Sequence, residues 1–166
     1  DFLGIDNLSI QSEVNYARPF IYSHNNALQS YTHYNQALAH PLGASFTESV
    51  TFIRYNYKRW SANIKLLFAE HGGDIEGDNT NYGNDILTSY SEGDRMEYGN
   101  EVAQGNTTNL QIIDVRLGYL INPLTNMKLE LGMSNRTTSS LFTEESNTNY
   151  LFFAFKTDLR NLYFDF

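Results

Sequence analysis

Three histidines, His24, His33 and His40, stand close together in the chain, and imidazole is a common metal ligand. Their spacing follows no i, i+4 pattern and no carboxylate joins them locally. The simpler reading makes them hydrogen-bonding residues of a folded loop, with His40-Pro41 marking an extended turn. Asp74, Glu76, Asp78 and Thr80 alternate around Gly77, and oxygen ligands at that spacing can wrap Ca²⁺. No glutamate sits at the closing position of a calcium loop, which leaves a solvated acidic loop. No Gly-x-Ser-x-Gly appears for a nucleophile and no Gly-rich phosphate loop follows a strand. Asp94 next to Arg95 reads as a solvated ion pair. Glu144-Glu145, or Asp114 with Glu130, could in principle cleave a glycosidic bond, but pairing with nearby cations accounts for the second couple. Cysteine is absent, which removes disulfides, thiolate nucleophiles and cysteine-bound zinc. An enzyme is therefore not expected, nor is any cofactor or metal. Six tyrosines, Tyr22, Tyr31, Tyr34, Tyr82, Tyr90 and Tyr98, fall in polar stretches rich in Asn, Gln and Asp. Such rings could stack on sugars, which makes glycan contact one reading; loops packing over the mouth of a barrel is the simpler one.

The elements that must position these residues are strands. In 166 residues, 11 Lys and Arg oppose 19 Asp and Glu, a net charge of −8 that excludes nucleic acid as a partner. Leu8 to Ala17 alternates apolar and polar residues, the period of a half-buried strand, and Pro19 ends it. A second strand runs from about Phe46 to Tyr57. Val50 and Phe52 there fall on the polar parity, which a bulge would explain. Trp60 to Phe68 forms a third strand after a short turn at Lys58-Arg59. Ile113 to Ile121 and Met127 to Met133 form the fourth and fifth, joined by a tight turn at Asn122 to Asn126. A sixth begins near Tyr150 and runs past Lys156 toward Leu159. A stretch near Asn26 to Gln29 is a candidate helical turn.

The connections 18–45, 70–107 and 135–149 are long and the other two short. That alternation fits an outer-membrane barrel, with short periplasmic turns and long external loops. The polar parity carries Glu13, Arg54, Lys65, Asp114, Arg116, Lys128 and Glu130, and the apolar parity would face lipid. Tyr16, Tyr57, Trp60 and Tyr119 fall near strand ends, where aromatic girdles belong. No apolar run reaches the ~20 residues of a membrane-spanning helix. The mean hydropathy of −0.44 carries little weight for a barrel with a polar lumen. A soluble β-sandwich is the competing architecture. Six strands are fewer than the roughly eight of the smallest such barrels. The expectation is an all-β, antiparallel transmembrane barrel, of which residues 1–166 supply about six C-terminal strands. The start at Asp1 suggests a removed leader or missing upstream sequence.

The ending Leu162-Tyr163-Phe164-Asp165-Phe166 resembles the C-terminal signal of outer-membrane barrels. There a terminal aromatic, with apolar residues two and four before it, is read by the barrel-assembly machinery. Leu162, Phe164 and Phe166 match that pattern. Tyr16-Ala17-Arg18-Pro19-Phe20-Ile21-Tyr22-Ser23-His24 and His33-Tyr34-Asn35-Gln36-Ala37-Leu38-Ala39-His40-Pro41-Leu42-Gly43-Ala44 are more specific, as are Gln104-Gly105-Asn106-Thr107-Thr108-Asn109 and Gly118-Tyr119-Leu120-Ile121-Asn122-Pro123. Together they resemble the C-terminal region of the RemB-type gliding-motility proteins of Bacteroidetes and the Wzi-like capsule-assembly family. The resemblance implies an outer-membrane protein with a structural or docking role in surface motility or surface-polysaccharide assembly. Its partners would be outer-membrane lipid, the assembly machinery, and other outer-membrane proteins or surface polysaccharide. It supplies no catalytic residues. A glycan-binding outer-membrane protein is the alternative.

Overall fold

Alternating apolar and polar residues give an extended chain one face of each kind, and the long strands form where that alternation persists. A computed structural model describes residues 2–158, which are all-β apart from a 3₁₀ turn at Ala27–Gln29. The strands are β1 (Leu8–Ala17), β2 (Thr32–His33), β3 (Gln36–Ala37), β4 (Phe46–Tyr57), β5 (Trp60–His71), β6 (Thr108–Asn122), β7 (Met127–Ser140) and β8 (Ser146–Lys156). Six of them form one antiparallel sheet in the order β1-β4-β5-β6-β7-β8, while β2 and β3 make a small hairpin of their own. Among the described residues β1 and β8 do not pair with each other, so the sheet is open. The expected terminal signal, Leu162, Phe164 and Phe166, and the expected extension of the last strand to Leu159 lie outside the described residues.

Several features differ from those that alternation predicts: β5 runs on to His71 and β6 begins at Thr108, beyond the expected Phe68 and Ile113. No bulge interrupts β4, which pairs with β5 without a break from Phe46 opposite His71 to Tyr57 opposite Trp60. Val50 and Phe52 therefore face the polar side, and the irregular step lies instead in β6, between Leu120 and Asn122. The loop expected at 135–149 shrinks to 141–145, because β7 continues to Ser140 and β8 begins at Ser146. Polar sequence sustains this extension. Asn135 Nδ2 donates to Asn147 and Asn149 across the pair, and Asn147 donates to Thr137. Only 18–45 and 72–107 remain long connections, both at the same end of the sheet.

The register sorts the side chains. Glu13, Glu48, Arg54, Lys65, Asp114, Arg116, Lys128, Glu130, Arg136 and Lys156 all share one face. The other face carries a single charged strand residue, Glu70, at its loop end. Its three rows nearest the short turns are apolar: Tyr57, Trp60, Tyr119, Leu129 and Phe155, then Tyr55, Ala62, Leu117, Leu131 and Phe153, then Ile53, Ile64, Val115, Met133 and Leu151. Most of these large side chains are exposed, Leu151 and Phe153 to about 70%. The best-buried residues gather where the long connections meet the loop end of the sheet: Ala44 and Ser45, with Ala17 of β1 and Phe46 of β4 beside them in the chain or across the pair, then Ile86 and Ala103.

Candidate functional site

Two features stand on the polar side of the sheet: a ladder of charges at mid-strand and a cap of folded loops above it. In the ladder, Arg116 grips Asp114 through Nε at 2.6 Å and Nη2 at 3.1 Å. Glu130, on the neighbouring strand, is 7% exposed, and the Lys156 ammonium donates to it. Arg116 Nη1 lies 3.9 Å from the same carboxylate. The ion pairing expected of Asp114 and Glu130 is thus present, with each carboxylate held by a cation instead of by the other. Arg54 takes a different partner, donating to Gln11 Oε1 at 3.2 Å. Its guanidinium also lies 4.9 Å from the centre of the Phe52 ring, and Lys65 Nζ approaches that ring at 6.0 Å. Phe52 is an aromatic support for two cations, which explains an apolar residue on the polar parity.

The cap is built by asparagines, because their side chains can stand in for backbone partners in irregular chain. Asn84 Nδ2 donates to the carbonyls of Leu42 and Ala44, tying the second long connection to the first. Asn81, buried, donates to the carbonyls of Ser89 and Glu92 and accepts from the Gly83 amide. Phe20 N–H reaches the Gly83 carbonyl, and the Ser89 hydroxyl donates to the carbonyl of Asn25. Ser45, fully buried, accepts from the Ala103 amide through Oγ. Gly43, at φ +76°, passes so close to the Asn84 carbonyl that a Cβ would meet it at 2.7 Å.

His40 anchors the cap to the sheet. Its Nδ1 accepts the Leu42 amide proton at 3.2 Å, so the ring hydrogen resides on Nε2 and is directed at Glu48 Oε2, 3.1 Å away. The ring stacks on Phe46 at 4.3 Å. Glu48 also accepts from Asn15 and is 6% exposed. His24 and His33 do not join His40. His24 Nδ1 accepts the Asn26 amide, and His33 packs edge-on against Tyr34. No cluster of three metal-ligating groups exists among the described residues.

The acidic loop turns its oxygens inward. Asp78 accepts the Thr80 amide and hydroxyl, and the Tyr82 hydroxyl at 2.8 Å. Asp74 accepts the Tyr82 amide. These bonds hold the Asp78 carboxyl below its ordinary value, the Tyr82 hydroxyl first and Thr80 second. They push the Tyr82 phenol above 10.0. Asp94 and Arg95 do not form the ion pair their adjacency suggests. Asp94 accepts from Asn79 at 3.4 Å, while Arg95 lies 4.9 Å from the centre of the Tyr90 ring.

The six loop tyrosines form no single platform. Tyr22 and Tyr31 lie 6.1 Å apart, Tyr90 packs against His24, and Tyr82 is engaged by Asp78. Tyr34, edge-on to His33, and Tyr98 are the most exposed, at 88% and 83%. The residues that sequence reasoning missed are Asn84, Ser45 and Glu48, whose partners lie far away in the chain. A Glu within a strand and an Asn among glycines gave no local signal. No family model, no curated protein and no solved structure matches the chain.

Proposed function

We propose that the chain forms part of an outer-membrane β-barrel of a Bacteroidetes-type bacterium. Its role would be structural, presenting a folded loop cap as a docking surface for gliding motility or for surface-polysaccharide assembly. The observation that carries the membrane reading is the apolar face, whose upper boundary slants. From β5 to β8 it falls steadily: on β5 it reaches Phe68, on β6 Ile113 (level with Leu66), and on β7 and β8 Met133 and Leu151, level with Ile64; β4 departs from the slope, with Thr51 and Ser49 above Ile53. A fall of four residues over three strand steps is about 14 Å along the strand for about 14 Å across, a tilt near 45°. Strands crossing an apolar slab in barrels tilt by roughly 35–45°. The band is also about as tall as such a slab, since Trp60 to Phe68 spans about 27 Å along the strand, near 20 Å after tilting. Trp60 and Tyr119, 4.9 Å apart at the turn end, suit the interfacial girdle.

In hydrocarbon the free edges of β1 and β8 would leave backbone groups unpaired, so this reading requires further strands to close the sheet. A soluble sandwich reading requires instead a second sheet over the apolar face. The exposed rings of Tyr34 and Tyr98 favour a glycan-contact role for the cap as a secondary reading. Cell fractionation with heat-modifiable gel mobility separates the architectures. The barrel reading expects outer-membrane protein that migrates as a compact form unheated and shifts on boiling. Soluble protein without a shift overturns it. For the role, deletion of residues 72–107 should impair surface spreading or capsule retention while the barrel still assembles. Unaltered spreading and capsule would remove the docking role.

A further inference from the structure

Midway along the polar face lies a depression of about 340 Å³, whose polar and aromatic lining is Phe52, Arg54, Asn63, Lys65, Asp114, Arg116 and Glu130. The register sets the first six in two adjacent rows, Arg54-Asn63-Arg116 and Phe52-Lys65-Asp114. Both carboxylates are taken, Asp114 by Arg116 and Glu130 by Lys156 and Arg116. Among the described residues neither Arg54 nor Lys65 has a carboxylate within ion-pair distance. Arg54 has one hydrogen bond, to the neutral Gln11, and both cations flank the Phe52 ring. Counting the lining Arg54, Lys65 and Arg116 against Asp114 and Glu130, the site carries +1 in a chain whose net charge is −8. Half-buried cations without anionic partners carry a desolvation cost that an incoming anion would offset. The guanidinium fork and the ammonium, with Asn63 between the two arginines of its row, suit a tetrahedral or carboxylate oxyanion.

We propose that this depression is an oxyanion-binding site, taking a sulfate, phosphate or carboxylate group. The site faces the lumen if the barrel reading holds and open solvent if it does not, so its existence does not depend on that reading. A charged ring in a barrel interior also sets the sign of what enters. The oxyanion would come from a small free anion or from an acidic sugar.

The test is calorimetric titration of the full-length protein in detergent with sodium sulfate, with glucuronate and with uncharged glucose. Saturable binding of sulfate or glucuronate is expected, weakened about tenfold or more in Arg54→Gln/Lys65→Gln. It should be unchanged in Lys58→Gln, which alters a cation at the short turn. Sulfate binding without preference for glucuronate indicates a free-anion site, and tighter glucuronate indicates an acidic glycan. Absence of saturable binding to both anions, or equal binding by the double variant, overturns the proposal. Heat-modifiable mobility of the double variant checks that it still folds. Loss of that mobility in the parent protein too, with anion binding retained, would reject the barrel and keep the site.

Discussion

Tyr82 donates a hydrogen bond through its hydroxyl to Asp78, and each member of the pair shifts the titration of the other. Asp78 is lowered, so its contribution to loop stability is full above the ordinary 3.8 and is lost as the pH falls through the lowered value. Tyr82 is raised, so its contribution is full below 10.0 and is lost as the pH rises through the raised value. Asp78→Asn should return the Tyr82 phenol toward 10.0. The readout is phenolate absorbance of Asp78→Asn minus that of Asp78→Asn/Tyr82→Phe, and an unmoved titration would remove the link. Glu130 is the other residue with sharp consequences. It is nearly buried and meets two cations that are each about 40% exposed. Breaking a fully buried pair costs about 3–5 kcal/mol, and screening of the exposed partners reduces the expected cost of Glu130→Ala to about 1–3 kcal/mol. Urea unfolding in detergent measures it, and a change below about 0.5 kcal/mol would mean that the ladder is ornamental to stability.

At the scale of elements, the strands were legible wherever one face is apolar, because period-two alternation is a local property of the sequence. All seven charges assigned from alternation to one face share it in the register. The ends of β7 and β8 were not legible. Asn135 to Ser140 and Ser146 to Asn149 contain no apolar parity, and they are strands because Asn and Thr pair across them. The β2–β3 hairpin was missed although its turn residues Tyr34 and Asn35 both take positive φ, the geometry of a tight hairpin turn. The cap was illegible for another reason, since its ties join residues some forty to sixty positions apart, such as Asn84 to Ala44 and Ser89 to Asn25. The face assignment makes a quantitative prediction. Val115→Arg, at mid-height on the apolar face, should cost about 2–4 kcal/mol in lipid, while Ser134→Arg, on the charged face of the next strand, should cost less than 1 kcal/mol. Equal costs in a lipid refolding titration would contradict the assignment.

For the whole molecule, the sheet and cap are two layers with different glue, lateral backbone pairing in one and long-range side-chain bonds in the other. Asn84 is one of several ties between the two long connections, donating to two carbonyls at once, so Asn84→Ala should raise hydrogen-exchange rates in both 18–45 and 72–107 while β5 to β7 stay protected. Faster exchange confined to 72–107 would show that the loops fold separately. The central claim is that one sheet face meets hydrocarbon and the other water. The absence of native cysteine makes that claim open to single-cysteine spin labelling of the full-length protein in bilayers. Labels would go to Ile113, Val115, Leu117, Leu131 and Met133 on one face, and to Ile112, Asp114, Ser134 and Arg136 on the other. The account predicts that the first set is relaxed by oxygen and shielded from a water-soluble nickel reagent, and that the second set shows the reverse. Nickel access on both faces, or no alternation along β6, would contradict it.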